Sequence, residues 1–398
     1  MKTDIRLPLG LPEFTVLKQE ITENKVVIQV ETVDPPERCP YCGFQELKKH
    51  DQRLRSVRDL PIHNRPVYLI IQLKRWHCTN CQEIFDEHLP SVPKSKHQTH
   101  RFRKYVFDMC HGVTISYVSR QVHLPYKTVE RIYYDLAEQE INKVESSGCI
   151  GIDEIAVRKG HVYETVVTDL VSGQVHEMGA NRDYESALDV MSTLCEQDIH
   201  LIVMDMWRPY YKAAQTLFPH ATIVIDKYHV VQKVNQAFDV IRKSVSKELK
   251  GVKNGRFALL KRHFRLTDKQ NKKLDEYHSQ SEELAYAYYL KEWFYDLYEQ
   301  HDSNQAETFL DTWIQAALQS PFKPFHDFSK TLVTWKTHIL AYFRLPYTNA
   351  RTEGTNHKIK NLKRRAYGYR NRERFRLRVK LECGCFQQDH SLLHFASA

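Results

Sequence analysis

Two short apolar segments that each end in an aspartate, Cys149-Ile-Gly-Ile-Asp153 and Leu201-Ile-Val-Met-Asp205, decide how this chain folds. Their length and β-branched content are typical of buried strands. A buried strand ordinarily ends in a neutral turn residue, whereas both of these end in an acidic one. If the two strands are neighbours in one sheet, their carboxylates repel each other unless a cation lies between them. We therefore predict a magnesium or manganese site at this edge of the sheet, because these ions prefer oxygen ligands.

Residues 148–230 predict the sheet that brings these aspartates together. The pattern indicates strands at 149–157, 161–169 and 174–178, a helix at 183–197, a strand at 200–205, a helix at 208–217 and a strand at 221–226. Three antiparallel strands followed by alternating helices and strands give an α/β fold with a mixed sheet. This is the ribonuclease-H-like plan, in which the first and fourth strands are neighbours. Asp226 ends the last strand, and we predict that Asp226 and His229 support the metal ligands from behind, with a plain helix cap as the alternative.

Length, composition and charge limit the class of protein. A chain of 398 residues with 42% hydrophobic content is long enough for two or three cores. Its 58 Lys and Arg exceed its 49 Asp and Glu, and the formal charge of +9 is a modest indication of nucleic-acid binding. The first residues lack the apolar core of a signal peptide, and no run of 18 apolar residues occurs. We therefore expect a soluble, cytosolic protein whose nine cysteines are thiols or metal ligands.

Four cysteines in residues 1–95 form two C-x-x-C pairs. Cys39 and Cys42 make the first pair, and Cys78 and Cys81 make the second after a gap of 35 residues. Each pair forms a tight turn that supplies two thiolates, and zinc completes such a four-cysteine site. Four thiolates leave no open coordination position, so we predict one structural zinc ion in a zinc ribbon that binds DNA.

Residues 96–147 predict a helix-turn-helix. Apolar residues recur at helical spacing in 115–122 and again in 127–136, with a short turn containing Pro125 between them. A small helical hairpin without DNA contact explains this pattern at least as well by itself. The neighbouring zinc ribbon and the basic chain favour DNA binding. The second helix would then present four residues to a major groove: Tyr126, Lys127, Thr128 and Arg131.

The rest of the chain predicts a helical segment and then a third acidic ligand. Residues 231–340 are helical and are either an insertion between core elements or a separate domain. In 341–398, which would complete the core, Glu353 lies in the first turn of a helix; from Arg351 to Lys380 there are twelve Lys or Arg and two acidic residues. We predict that Glu353 is a metal ligand facing the two aspartates, with a helix cap or ion pair as the alternative. The predicted phosphate-binding residues are Arg351, Lys358, Lys360, Lys363, Arg364 and Arg365.

Several motifs, taken in order, resemble one family of proteins. They are CPYCG at 39–43, VRDLP at 57–61, CTNC at 78–81, the helix-turn-helix, IDE at 152–154, VMDMWRPYYKAA at 203–214, IDKYHVV at 225–231 and NARTEGTNHKIKNLKRRAYGYRN at 349–371. Over essentially the whole chain they look like an insertion-sequence transposase of the bacterial ISL-three (ISL3) family.

The resemblance implies a DDE transposase with a ribonuclease-H-like catalytic core and a helical insertion. Asp153, Asp205 and Glu353 fall on the family's catalytic triad, which would hold two Mg²⁺ or Mn²⁺ ions. The implied partners are the terminal inverted repeats and target DNA, with a homodimer joining two ends at the nucleoid. Two alternatives remain open: a nuclease of the same fold that does not transpose, and a DNA-binding regulator whose core is idle.

Overall fold

The computed structural model describes residues 9–141, 145–158, 162–245 and 256–384. The chain divides into two compact units, Met1–Glu140 and Ile141–Ala398. None of the helices in the described parts of the chain is long and apolar enough to cross a bilayer. The domain boundaries proposed from the sequence at 95, 147, 230 and 340 stay predictions.

A five-stranded sheet and three helices build the first unit. The strands are β1 (Phe14–Ile21), β2 (Val26–Thr32), β3 (Leu47–Ile62), β4 (Arg65–Cys78) and β5 (Ile84–Asp86), in the order β1-β2-β4-β3 with β5 beside β4. A long hairpin joins β3 to β4 through His63 and Asn64, whose φ values are 48° and 62°. Positive φ at both residues is what a two-residue hairpin loop of type I′ requires. This hairpin returns the second cysteine pair to the first.

The helices of this unit are α1 (His100–Met109), α2 (Ile115–Gln121) and α3 (Tyr126–Glu140). Threonine side chains begin the first two helices: Thr99 accepts from the N–H of Phe102, and Thr114 accepts from the N–H of Tyr117. Such caps satisfy backbone donors that have no partner within the helix. The predicted helix pair with its short turn is present in the structure.

The second unit contains the predicted mixed sheet. Its strands are β6 (Cys149–Arg158), β7 (Val162–Asp169), β8 (Val175–Ala180), β9 (Leu201–Met204) and β10 (Thr222–Ile225), in the order β10-β9-β6-β7-β8. β6, β7 and β8 pair antiparallel, whereas β9 pairs parallel with both β6 and β10. The first and fourth strands are therefore neighbours, as predicted. Residue 161, the predicted start of the second strand, lies outside the described residues.

Helices cover both faces of this sheet and build the segment between β10 and the last two helices. They are α4 (Tyr184–Ser192), α5 (Arg208–Leu217), α6 (Lys227–Val245), α7 (Arg256–Leu260), α8 (Asp268–Gln280), α9 (Glu282–Tyr295), α10 (Ser303–Gln319), α11 (Lys323–Leu340), α12 (Ala350–Arg365) and α13 (Arg372–Cys383). The first of these ends five residues before the predicted end at 197, because residues 193–197 form turns closed by the N–H groups of Leu194, Cys195 and Gln197.

Alternation along β6 assigns each face of the sheet to different helices. Ile150 and Ile152 belong to a core that continues through α4 and α5 into the helical segment, where Trp313 is fully buried. Ile155 and Val157 face the other way and pack with α12 and α13. The helical segment thus shares one core with the sheet, which favours an insertion over a separate domain.

Candidate functional sites

The four predicted zinc ligands lie together. Their four Sγ atoms all lie within 4.8 Å of one another. The Sγ atoms of Cys39 and Cys81 are 3.6 Å apart, as are those of Cys42 and Cys78. Tetrahedral zinc with Zn–S bonds of about 2.3 Å separates its sulfur ligands by roughly 3.8 Å. The four thiols therefore fit one zinc ion and leave no position for a substrate.

Each cysteine pair forms its turn from local hydrogen bonds. The N–H of Gly43 donates to the carbonyl of Cys39 at 2.9 Å, and the N–H of Gln82 donates to that of Cys78 at 3.0 Å. Gly43 and Gln82 both have positive φ, 74° and 61°. The backbone N–H of Phe44 lowers the pKa of Cys42 to about 6. The two turns are thus equivalent although only one of them has glycine after its second cysteine.

The parallel register brings three acidic residues to one edge of the second sheet. Ile150 pairs with Ile202 and Gly151 with Val203, and Ile225 pairs with Met204 on the other side. Continuing this register to the strand ends sets Asp205 between Asp153 and Asp226. Carboxylate oxygens of Asp153 and Asp205 and a ring nitrogen of His229 lie within 4.8 Å of one another. The sheet therefore brings together the two predicted aspartates.

The electrostatics of this edge are unfavourable without a cation. Burial, and then the charge of Asp205, raise the pKa of Asp153 to about 7. Burial also raises the pKa of Asp226 and that of Glu154. Burial lowers the pKa of His229, but the hydrogen bond to Asp205 and the charges of Asp205, Asp226 and Asp153 together outweigh it, and the net shift is upward. A positive charge at this edge relieves the cost of keeping the carboxylates ionised.

Two buried oxygen atoms at this edge indicate where such a cation fits. Oδ1 of Asp205 and Oδ1 of Asn356 have no hydrogen-bond partner among the described residues. The amide nitrogen of Asn356 and both carboxylate oxygens of Asp153 have hydrogen-bond partners. Asn356 donates through Nδ2 to Oδ2 of Asp153 at 2.8 Å, and the N–H of Glu154 donates to Oδ1 of Asp153 at 2.8 Å. Buried oxygen atoms without donors are suitable ligands for a divalent cation.

Asp226 and His229 hold their neighbours in place. Nδ1 of His229 lies 2.6 Å from Oδ2 of Asp205, whereas Nε2 lies 4.0 Å from Asp226. Buried Asp226 accepts from the backbone N–H of Asn349 at 3.1 Å. Asp226 therefore fixes the start of α12, and His229 orients Asp205. Both positions are consistent with the prediction that Asp226 and His229 support the metal ligands.

Glu353 lies in the first turn of α12, as predicted, but it is exposed and outside the group of three. Asn349 and Asn356, four residues before and three after it, touch β6 instead. Nδ2 of Asn349 donates to the carbonyl of Ile152 at 3.3 Å. Glu353 is at helical spacing from both asparagines, and its part in the acidic site stays a prediction.

Gly151 allows α12 to approach the sheet this closely. A Cβ atom at this position would lie 2.5 Å from both Oδ1 of Asn349 and Oγ1 of Thr352. Sequence reasoning did not identify Asn349 as part of the site. An asparagine before a helix usually caps the helix, but this side chain makes no capping hydrogen bond and instead reaches β6.

Glu154 faces away from the group of three. Its carboxylate accepts from Arg182 at 3.1 Å, and the guanidinium group of Arg182 lies 4.9 Å from the ring centre of Trp207. Trp207 in turn donates to the carbonyl of Arg182 at 2.9 Å. These contacts attach the loops that contain Arg182 and Trp207 to Glu154 on β6.

The predicted DNA-binding residues differ in what their side chains contact. In the helix-turn-helix, Lys127 is exposed and pairs with Glu130 at 2.9 Å. On α12, Arg365 forms an ion pair with Glu382 at 2.7 Å, and Lys363 donates to the carbonyl of Val157. These last two residues therefore attach α12 to its neighbours. The remaining basic residues predicted on α12 are exposed: Arg351, Lys358, Lys360 and Arg364.

Comparison with known proteins identifies three similar regions. The family model of ISL3 DDE transposases, described as a transposase, matches residues 150–379. A model described as the zinc-finger of transposase IS204/IS1001/IS1096/IS1165 matches residues 35–81. The helix-turn-helix domain of transposase family ISL3 matches residues 87–137.

Similar whole chains come from two bacteria. The transposase for insertion sequence element IS1001 of Bordetella parapertussis is 30% identical over 363 residues, which cover 86% of this chain and 87% of that protein. The transposase for insertion sequence element IS1557 of Mycobacterium tuberculosis is 24% identical over 379 residues, covering 84% and 83%.

Proposed function

We propose a metal-dependent mechanism of DNA cleavage and strand transfer for this chain, which belongs to the ISL3 family of transposases. It is a DNA transposase of an insertion sequence, and DNA is its partner. The observation that carries the mechanism is the pair of aspartates on adjacent parallel strands, Asp153 within β6 and Asp205 directly after β9, with a buried Oδ1 atom on Asp205 that has no partner among the described residues.

Asp153, Asp205 and Glu353 are the catalytic residues in this proposal. Two bound Mg²⁺ or Mn²⁺ ions would activate the attacking oxygen and stabilise the leaving one. Asp153, which lies between Asp205 and α12, would hold this metal together with Asp205 and Glu353. His229 and Asn356 orient the two aspartates, and Asp226 holds the start of α12.

The proposal requires Glu353 to turn toward the aspartates when metal and DNA bind. Its support is the helix face that Glu353 shares with Asn349 and Asn356, both of which already contact β6. A glutamate side chain has three rotatable bonds, so its carboxylate can change direction while the helix stays in place.

We assign the second unit to the ribonuclease-H-like fold. Three antiparallel strands are followed by two parallel strands added beside the first, in the order β8-β7-β6-β9-β10. This order, together with acidic residues after neighbouring parallel strands, supports the assignment. The helical segment is then an insertion between Asp226 and the helix that carries Glu353.

DNA recognition is assigned to the first unit, with the zinc ribbon and helix-turn-helix reading the terminal inverted repeats. The first residues of a recognition helix are the ones that contact bases in a major groove. The predicted residues lie at the start of α3: Tyr126, Lys127, Thr128 and Arg131. The exposed cations of α12 neutralise backbone phosphates at the catalytic edge, so binding weakens with added salt. Because two ends must be joined, the working unit is a homodimer.

The test incubates purified full-length protein with DNA from the end of its element, a target plasmid and Mg²⁺, with Asp205→Asn as the matched variant. Wild type should cleave at the element boundary and join the end to the target, whereas Asp205→Asn should bind the end without cleaving it. Cleavage without joined products would indicate a nuclease. If both proteins bind two element ends brought together and neither cleaves them, the protein would be a regulator and the mechanism would be contradicted.

A further inference from the structure

The turn that ends α12 carries a tyrosine whose ring adds nothing to the packing of the fold. Tyr367 is 100% exposed, and its backbone φ is 55°. The positive φ closes the end of the helix, because the N–H of Tyr367 donates to the carbonyl of Arg364 and the N–H of Gly368 donates to that of Lys363, both at 3.0 Å. This turn uses only the backbone of Tyr367, so its fully exposed ring is a candidate for contact with another molecule.

A cavity of about 400 Å³ lies next to this ring, within the size range of small-ligand sites. Its floor is apolar, and its rim is cationic through Lys360, Lys363 and Arg364. The floor residues are Ile155, Val157, Ile359 and Phe375. An apolar floor, an aromatic ring and a cationic rim are what a planar base attached to a phosphate requires.

The cavity adjoins the acidic edge on two elements. Ile155 follows Asp153 by two residues on the same face of β6, which is about 7 Å along the strand. Ile359 and Lys360 lie about one turn after Asn356 on α12, which is about 5 Å along the helix. A nucleotide in the cavity would therefore be the immediate neighbour of a phosphate held at Asp153 and Asp205.

The charge of the surroundings favours a phosphate. Among the described residues, neither Lys360 nor Arg364 has an acidic partner within ion-pair distance. A second cavity, of about 410 Å³, shares Tyr367 and is lined by Glu164, Arg370 and Arg372. Arg376 lies 3.3 Å from Glu164 and offsets this one acidic charge.

We propose that this cavity binds one unpaired nucleotide of the DNA, next to the scissile phosphate, with its base against Tyr367 and its phosphate on Lys360 and Arg364. A base that is paired and stacked in a duplex cannot enter such a cavity, so the end of the element must be locally opened. The proposal deepens the proposed function and rests on it for the identity of the ligand as DNA.

The experiment measures binding of full-length protein to end DNA by fluorescence anisotropy, without added magnesium. The DNA is a duplex of the element's terminal sequence, with the bases beside the cleavage position unpaired, and with each unpaired base removed in turn to leave an abasic site. Stacking of one base on an aromatic ring corresponds to about five- to hundred-fold in affinity. Tyr367→Ala should lose this factor on intact DNA, and Tyr367→Phe should restore it.

The decisive comparison is Tyr367→Ala against wild type on the abasic series. The two proteins should bind equally when one particular base is missing, because each change removes the same contact. Tyr289→Ala, an exposed tyrosine on α9, should behave as wild type on every DNA. Equal binding by Tyr367→Ala and wild type to intact DNA, or the same loss on all abasic DNAs, would overturn the proposal.

Cleavage by the wild type in Mg²⁺ is scored in a separate reaction. Its absence would contradict the proposed function while the base-dependent coupling still supported the nucleotide site. Because Tyr367 is fully exposed, Tyr367→Ala should unfold at the wild-type temperature.

Discussion

The two candidate metal sites of this chain are built in opposite ways. The cysteine site takes its ligands from two short turns, each closed by hydrogen bonds within a few residues. The acidic site takes its ligands from separate strands of one sheet, and its geometry depends on the register between β6, β9 and β10. A site made by local turns is closed and structural, whereas a site made by a sheet edge stays open on one side and can accept a substrate.

Removing one cysteine tests the local site with the largest expected effect. Cys78→Ser should lose the zinc ion and unfold the ribbon, because structural zinc contributes about 10–16 kcal/mol to such modules. Metal analysis and end binding report the loss. Cys195→Ser is the control, since Cys195 is an exposed thiol of the second unit and does not belong to the group of four. Full zinc content in Cys78→Ser would show that the four cysteines do not form one site.

Removing an orienting side chain tests the open site. Asn356→Ala deletes the hydrogen bond to Asp153, and loss of such a partner typically lowers metal affinity or activity about 10- to 100-fold. The magnesium concentration needed for half-maximal cleavage should rise, with zinc content unchanged. Asn361→Ala, an exposed residue of the same helix, should match wild type. An unchanged magnesium requirement in Asn356→Ala would show that this contact of α12 does not contribute to metal binding.

Two glycines near α12 distinguish close packing from helix propensity. Gly151→Ala places a Cβ atom 2.5 Å from Asn349 and Thr352, and such overpacking costs about 1–3 kcal/mol. Gly354→Ala has no atom within 4 Å of its Cβ and should stabilise the helix by about 0.5–1 kcal/mol. Thermal unfolding measures both. Equal stability of the two variants would mean that α12 does not lie against β6 this closely.

The last test is the pH dependence of the metal-free protein. The pKa of Asp153 rises from 3.8 to about 7 on folding, so between these values the folded state holds a proton that the unfolded state has released. The contribution of Asp153 to stability therefore falls as pH rises through this range. Asp153→Asn should remove this part of the slope in unfolding measurements made with a magnesium chelator. An unchanged slope would contradict the shift.

The comparison also explains how much could be predicted from the sequence. Both cysteine turns were predicted, because C-x-x-C spacing is typical of a tight turn that supplies two metal ligands. The strands that carry Asp153 and precede Asp205 were predicted from their apolar runs, and the contact of the two aspartates followed from the strand order. Only β9 ends at its aspartate, since β6 continues past Asp153 to Arg158. The type I′ turn at His63 and Asn64 was not predicted, since neither residue is a glycine that would signal positive φ.

The contacts that α12 makes at the acidic site could not be predicted from local sequence patterns. Asn349 and Asn356 contact β6 across about two hundred residues of chain, and no spacing rule connects positions so far apart. The inward contacts of Lys363 and Arg365 were equally invisible in a run of twelve cations. Whether a charged side chain meets solvent or a neighbour depends on tertiary packing.

The most direct measurement locates the ions themselves. Crystals of the full chain with end DNA and Mn²⁺ would be measured for anomalous scattering, with Asp205→Asn crystals as the reference. We predict peaks bounded by the carboxylates of Asp153 and Asp205, with Glu353 turned in to complete the ligands, and loss of at least one peak in the variant. Manganese bound elsewhere, with these carboxylates paired only to protein groups, would contradict a catalytic metal site at this edge of the sheet.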